Sequence, residues 1–151
     1  MLSSLLTILI IQSFTARFVQ DKQSVLFSEP QRSEGAMVYR TPDYLRWEYT
    51  APQALVWETD GNSGNVNKQI LSMLMLIKEC VKGDFEAAQK SFVVEQQDET
   101  VTLTPKKREL QRLFQRIEIT LNPKTSIANQ VVIREANGDT TTIRFYDVTM
   151  L

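Results

Sequence analysis

Histidine is absent from the 151 residues of this chain, and its absence limits the chemistry that the protein can perform. Histidine is the commonest general base and transition-metal ligand, and Ser–His and Cys–His nucleophiles require it. Glycine-rich phosphate and dinucleotide motifs are missing as well. The remaining catalytic alternative is a carboxylate pair for glycoside hydrolysis, such as Glu48 and Glu58 facing each other across strands. We therefore expect a binding protein without metal or cofactor, and not an enzyme.

The chain has a single cysteine, Cys80, which excludes an intramolecular disulfide. Cys80 lies in an apolar run and is predicted to be a small buried hydrophobe. The net charge of −1 provides no basic excess for nucleic-acid binding. With 42% apolar and 23% charged residues, the composition is that of a soluble globular protein. Residues 1–151 are expected to form one monomeric domain.

The N-terminal stretch "MLSSLLTILIIQSF" contains an apolar run at residues 5–11. A signal peptide normally has basic residues before such a run and an A-x-A-like cleavage site after it, and this chain has neither. The run is also too short to span a bilayer. We interpret it as the first helix of the folded protein, left after an export signal is removed. The alternative is that it is a remnant of such a signal.

Alternating apolar and polar residues predict four short strands in the first half of the chain. "FTARFVQDKQ" alternates Phe14, Ala16 and Phe18 with polar residues. A loop containing Pro30 and Gly35 leads to the second strand, "AMVYR". Turns marked by proline separate "YLRWEYT" and "QALVWET" from their neighbours. These runs are typical of an antiparallel meander.

The hydrophobic period changes after the loop "DGNSGN", where "VNKQILSMLMLIKECVKGD" has helical spacing and ends at Gly83. A shorter helix capped by Asp84 is predicted in "DFEAAQKS", and a turn or two in "PKKRELQRLF" with Pro105 at its first position. Further strands follow in "FVVEQQ", "ETVTLTP" and "RIEITLN". The chain then forms a hairpin, in which the pair Asn137–Gly138 predicts a type I′ turn.

Together these elements predict a mainly β (α+β) fold with about eight to ten antiparallel strands and few helices. Such a sheet is expected to curve into an unclosed β-barrel whose helices cover one face. The segment "ILSMLMLIKECV" is apolar at nine of its twelve positions, so its helix is either buried on all sides or meets a ligand. The aromatic strands raise the same alternative, because their large rings suit either a filled core or a cavity wall.

The order of these segments resembles the LolA family of periplasmic carriers of outer-membrane lipoproteins, in the form found in Bacteroidetes-type relatives. The likeness starts with a Phe-x-Gln pattern after an N-terminal helix, in "SFTARFVQDK", and a Gly-led strand, in "EGAMVYRTPDYLRWEYTAP". An apolar strand ending in "DGN", then "VTLTPKKRELQRLFQRIEITLNP" and "VVIREANGDTTTIRFYDV", complete it. It covers nearly the whole chain, residues 13–148.

The resemblance implies an unclosed β-barrel with an apolar concave face and helices that act as a lid. It implies a periplasmic carrier that shelters the acyl chains of lipoproteins and delivers them to the outer membrane. Its partners would be acylated lipoproteins or lipid, an inner-membrane lipoprotein-releasing transporter and an outer-membrane acceptor. The alternative is that the fold serves as an envelope interaction or sensor module, or carries another lipid, because a shared fold does not prove shared cargo.

We predict that the lipid cavity lies between the aromatic strands and the apolar helix. The candidates on strands are Phe14, Phe18, Met37, Tyr39, Leu45, Trp47, Tyr49, Leu55 and Trp57. The candidates on the helix are Leu71, Met73, Leu74, Met75 and Ile77. The alternation pattern alone leaves open which face of each strand lines the cavity.

One position departs from the pattern of the family, in which an arginine immediately before the proline of the Gly-led strand latches the lid helices. This chain has Thr41 there, in "YRTP". Arg40, one position earlier, and Arg46, in "LRW", are the candidates for the latch. The alternative is that the latch is missing.

Overall fold

The computed structural model describes residues 13–60, 64–65, 68–82, 85–125 and 127–151, without the side chains of residues 68–70, 72, 73, 82 and 87. The predicted helix at residues 3–11 and the predicted roles of Gly83 and Asp84 lie outside the described residues. The strands are β1 (Phe14–Gln23), β2 (Gln31–Arg40), β3 (Tyr44–Ala51), β4 (Leu55–Thr59), β5 (Phe92–Gln97), β6 (Thr100–Pro105), β7 (Phe114–Leu121), β8 (Ala128–Glu135) and β9 (Thr140–Met150). The helices are α1 (Lys68–Lys82), a 3₁₀ turn (Ala87–Lys90) and α2 (Arg108–Gln111).

The nine strands form one antiparallel sheet in the order β4-β3-β2-β1-β9-β8-β7-β6-β5. Consecutive strands pair within β1–β4 and within β5–β9, and β1 and β9 join these two halves at the centre of the sheet. The end strands β4 and β5 do not pair with each other in the described part of the chain, so the sheet is not closed. The predicted fold class is confirmed: a mostly β, antiparallel, unclosed sheet with few helices.

One face of the sheet is apolar because the alternation of side chains is in phase from strand to strand. Paired residues share a face of a sheet. Phe14 of β1 pairs with Tyr39 of β2, which pairs with Leu45 of β3. All three are at most 1% exposed. In the other half, Val101, Ile119 and Val131 continue this face and are also buried. We call it the concave face, and the opposite one the convex face.

The helix α1 packs against the concave face and contacts β3 and β8. Its Leu74, Ile77, Cys80 and Val81 belong to the same core as the inward side chains of the strands. Their spacing is that of one helical face, as the hydrophobic period predicts. Among the described residues, no helix has the length and apolar character needed to cross a membrane.

Three local predictions are wrong. The second strand begins at Gln31 and not at Ala36, because polar residues continue the pairing with β1 as far as Lys22. The predicted helix after Asp84 is only the 3₁₀ turn Ala87–Lys90. Pro105 does not open a helix: it ends β6, and α2 begins at Arg108.

The turn between β8 and β9 also differs from the predicted type I′. That turn needs positive φ at both central residues. Gly138 has φ +95°, but Asn137 is not among the described residues with positive φ. The Gly138 N–H donates to the Glu135 carbonyl, and the Glu135 N–H donates to the Asp139 carbonyl. This is the three-residue loop in which a glycine follows a type I turn.

Candidate functional site

The strand residues predicted to line a cavity share one face, although the sequence left this open. Pairing relates Phe18 to Gly35 and Gly35 to Tyr49, while Met37 lies between Ala16 and Trp47. On β4, the side chains opposite Trp47 and Tyr49 are Trp57 and Leu55. Most of the set is buried, but Leu55 is 47% exposed because β4 is an edge strand. The aromatic strands therefore present a continuous apolar surface.

The rings of this surface pack closely on one another. Phe18 stacks on Trp47 with ring centroids 4.1 Å apart, and Tyr49 meets the edge of Trp57 at 5.5 Å. Phe145 from β9 approaches Trp47 at 6.2 Å. The Trp47 Nε1–H is buried among these rings, where the Tyr49 hydroxyl is its neighbour. The wall is thus filled by its own rings, with one buried polar donor among them.

The predicted helix residues divide between buried and partly buried positions. Leu74 and Ile77 are buried against the sheet, and Met75 packs on the edge of the same core. Leu71 is partly buried. The side chain of Met73 lies outside the described residues. The structure therefore brings Leu74, Met75 and Ile77 to the strands.

A narrow apolar crevice lies between α1 and the second half of the sheet, and it has no room for a water molecule. We call it the α1 crevice. It is not next to the aromatic strands, where the cavity was predicted. Its lining residues are Leu76, Ile77, Cys80, Phe114, Ile117, Val131 and Ile133. Of these, the prediction included only Ile77, although alternation in β7 and β8 marked the inward positions.

Lys78 joins α1 to the turn between β2 and β3. Its side chain is only 5% exposed, and Nζ lies 3.7 Å from Asp43 Oδ1 and 3.3 Å from Glu79 Oε1. The ammonium group also lies 5.6 Å from the centre of the Tyr39 ring, within cation–π range. The Tyr39 hydroxyl donates to the Pro42 carbonyl, which ties the same turn to β2. Lys78, the one cation in the run "MLMLIKECV", was the sequence signal that the prediction missed.

The two arginines proposed as latch residues lie on the convex side of the sheet, away from α1. Arg46 faces the convex side, where it approaches Glu48 at 3.6 Å and Glu58 at 4.0 Å. Arg40 is exposed and follows the inward-facing Tyr39, so alternation also directs it to the convex side. At the position of the expected arginine, the Thr41 N–H donates a hydrogen bond to Ser13 Oγ at 3.1 Å.

Two further groups, the carboxylate of Glu118 and the buried thiol of Cys80, have shifted pKa values. A hydrogen bond from Arg134 lowers the pKa of Glu118 on the convex face, and Arg116 adds to the effect. Burial raises the pKa of the Cys80 thiol beside the α1 crevice, so the thiolate is disfavoured there. No group of three or more potential metal ligands occurs among the described residues. The concave side is thus apolar, and the described residues form no cluster of metal ligands on it.

Comparison with known proteins decides the family. The family model of the outer membrane lipoprotein carrier protein LolA matches residues 10–150. The chain belongs to the LolA family. A search of curated proteins gives no match.

Solved structures containing MucB share the fold of this LolA-family chain at low sequence identity. In a complex of MucA and MucB from Pseudomonas aeruginosa, the matching chain has a TM-score of 0.53 and 13% identity, covering 91% of this chain and 51% of that one. MucB in complex with MucA(peri) gives 0.55 and 13%, covering 99% and 54%. A LolA superfamily protein from Nitrosomonas europaea gives 0.49 and 10%, covering 93% and 86%. This chain spans about half the length of the MucB chains that it matches.

Proposed function

We propose that this LolA-family protein carries the acyl chains of lipoproteins through the periplasm. The observation that carries the proposal is the α1 crevice, an apolar seam between a covering helix and an apolar sheet. In the closed protein it has no room for a water molecule, whereas typical ligand pockets enclose roughly 300–1,000 Å³. An acyl chain would therefore enter as α1 moves away from β7 and β8, and would contact both the crevice residues and the aromatic wall.

The energetics favour a covered surface of this kind. Each CH₂ group exposed to water costs about 0.8 kcal/mol, so a chain of about sixteen carbons needs an apolar partner throughout transit. In the closed protein, α1 covers the apolar concave face. A bound acyl chain would replace contacts of α1 with contacts of its own. The net affinity is the difference between the two sets, which keeps release accessible.

The partners that we propose follow from the family. The LolA description names outer membrane lipoproteins as the cargo of the family. We infer that this chain receives acylated protein from an inner-membrane transporter and gives it to an outer-membrane acceptor. Periplasmic localisation, a monomeric state, a single domain and the absence of catalysis belong to the same proposal.

The test uses two half-buried leucines on different helices. Leu76 lines the α1 crevice, whereas Leu110 lies on α2 at the edge of the core, away from the crevice lining. We expect Leu76→Gln to weaken binding of a fluorescent fatty-acid probe about tenfold, and Leu110→Gln to leave it within about twofold. Equal loss in both variants, or no probe binding by the wild type, would refute the carrier proposal.

The second candidate is an interaction module that binds another envelope protein without lipid. The solved complexes of MucB with MucA give this candidate its support, since a protein of the same fold binds a protein partner there. Native mass spectrometry of protein purified from the envelope separates the two. Acylated species would support the carrier, and a stoichiometric lipid-free protein complex that persists in Leu76→Gln would support the module.

A further inference from the structure

The loop between β1 and β2 exposes three consecutive large apolar residues. Val25 is 84% exposed, Leu26 83% and Phe27 50%. We call this segment the β1–β2 tip. Isolated surface hydrophobes are common, but a run at the end of a hairpin indicates a contact site. The tip is far in sequence from α1, and none of its residues lines the α1 crevice.

The backbone of the tip is held in place. The Leu26 N–H donates to the hydroxyl of Ser24 at 3.2 Å, and the Phe27 N–H donates to the Ser24 carbonyl, also at 3.2 Å. Ser24 itself is 6% exposed. Two of the three amide donors of the tip are therefore satisfied within the loop. This matters for entry into lipid, because a backbone donor without a partner is costly there.

The charges at the base of the tip compensate one another. Asp21 bonds to Arg32 at 2.9 Å and to Arg144 at 3.4 Å. Lys22 lies 3.6 Å from Glu135 and 3.8 Å from Asp139. These acidic and basic groups are thus paired beneath the apolar side chains, and the exposed Glu29 of the same loop adds one further charge. Such a base offers no strong field of one sign, either for an acidic or basic protein or for an anionic lipid surface.

The surroundings of the tip are polar, which favours a membrane over a protein as its partner. The register places the β8–β9 turn at the same end of the sheet, because Gln23 pairs with Thr140. That turn, "ANGD", carries no large apolar side chain. A protein interface needs a contiguous patch of about 800 Å² on each side, with an apolar centre. A narrow apolar tip above a polar, charge-balanced base fits the interfacial region of a bilayer better.

We propose that Val25, Leu26 and Phe27 insert into the interface of a zwitterionic phospholipid bilayer and dock the protein on a membrane. The insertion is driven by burial of apolar side chains and needs no specific headgroup. It is separate from the α1 crevice and does not depend on acyl binding there. The tip lies at the end of the molecule opposite to the Asp43 turn. Its insertion would therefore hold that end at the membrane surface.

The experiment uses the full chain and phosphatidylcholine vesicles. Because residues 5–11 are also apolar, vesicle binding alone does not identify the tip. Leu26→Trp places a reporter there, while the native Trp47, which is 1% exposed, and the partly buried Trp57 give the background that the wild type measures. We expect a blue shift of the Leu26→Trp emission and quenching by brominated phosphatidylcholine beyond that of the wild type. Absence of both changes would overturn the proposal.

Matched charge variants provide the second measurement. Leu26→Asp is expected to lower the vesicle partition coefficient about tenfold, since one large apolar group no longer enters the lipid. Val93→Asp, at a 44% exposed valine on the edge strand β5, is expected to leave it within about twofold. An equal decrease in both variants would overturn the proposal.

Two further outcomes distinguish other partners. Wild-type binding is expected to change little between low and high salt, because the charges at the base are paired. A strong loss with salt would assign binding to charge and overturn the proposal. Concentration-dependent self-association that Leu26→Asp abolishes, without vesicle binding, would assign the tip to a second copy instead. Fatty-acid probe binding should be unchanged in Leu26→Asp, so this proposal and the carrier proposal fail separately.

Discussion

At the scale of single residues, Lys78 combines burial, charge and position in a way that its neighbours on α1 do not. A lysine with a 5% exposed side chain needs compensation, which Asp43, Glu79 and the ring of Tyr39 supply. The partner Asp43 follows directly after Thr41 and Pro42, beside the position at which the family has its arginine. In this chain the cation therefore stands on the helix and the anion on the turn, whereas the resemblance led us to expect a cation on the turn.

This contact predicts that Asp43→Asn loosens α1. Asp43 is 54% exposed, so the ion pair is partly screened and its loss should cost at most about 1 kcal/mol, because Glu79 still faces Lys78. Cys80 reports the opening, since its thiol is 1% exposed and reacts only when α1 moves. We expect thiol labelling to accelerate about twofold to fivefold in Asp43→Asn, measured with a chromogenic disulfide reagent.

The control for this measurement is Glu109→Gln, an exposed carboxylate on α2. Its labelling rate should equal that of the wild type. High salt should accelerate the wild type and leave Asp43→Asn nearly unchanged, because only the wild type has an ion pair between α1 and the turn, whereas the Lys78–Glu79 pair lies within α1. Identical rates in Asp43→Asn and the wild type would show that the contact does not hold α1.

At the scale of secondary structure, the sequence predicted what depends on local pattern and missed what depends on packing. Alternation identified β1 and the pairing face of β3, and the helical period identified α1. The polar start of β2 at Gln31 carried no apolar signal, since its pairing with β1 determines it. The α1 crevice was missed because it joins α1 to β7 and β8, segments far apart in the chain that only the folded sheet brings together.

The close packing of β1, β2 and β3 around Gly35 gives a prediction at this scale. A Cβ atom added there would lie 1.9 Å from the Glu48 carbonyl oxygen and 2.6 Å from Cζ of Phe18. The absence of a side chain therefore allows the Phe18 ring to lie over β2 and to stack on Trp47. We expect Gly35→Ala to lower the free energy of unfolding by about 3 kcal/mol in urea titrations, as overpacking does.

Gly138→Ala is the matched control, because its site is open and only its φ of +95° disfavours alanine. It should lower the free energy of unfolding by only about 1 kcal/mol. The aromatic packing would be lost in Gly35→Ala alone, with a change in near-ultraviolet circular dichroism. A smaller loss of stability in Gly35→Ala than in Gly138→Ala would contradict the packing of Phe18 over β2.

At the scale of the whole molecule, the charge distribution predicts how stability depends on pH. The chain has no histidine, so no side chain has an ordinary pKa between pH 5 and 8, and stability should be nearly constant there. Below pH 5, two carboxylates make stability depend on pH. Hydrogen bonds from Arg134 to Glu118 and from Arg32 to Asp21 hold the pKa of each carboxyl below its ordinary value of 4.5 or 3.8.

A carboxyl whose pKa is lower in the folded than in the unfolded protein stabilises the fold above its unfolded pKa. That contribution is lost as the pH falls through the folded value. The urea midpoint should therefore begin to fall below about pH 4.5, where unfolded Glu118 binds its proton, and fall further below pH 3.8 as unfolded Asp21 does the same.

Glu118→Gln should flatten the first part of this decline, because the variant has no proton to bind there. Glu109→Gln, which alters an exposed carboxylate on α2, should keep the wild-type slope. The same slope in Glu118→Gln and Glu109→Gln would mean that the Arg116–Glu118–Arg134 cluster does not contribute to acid stability.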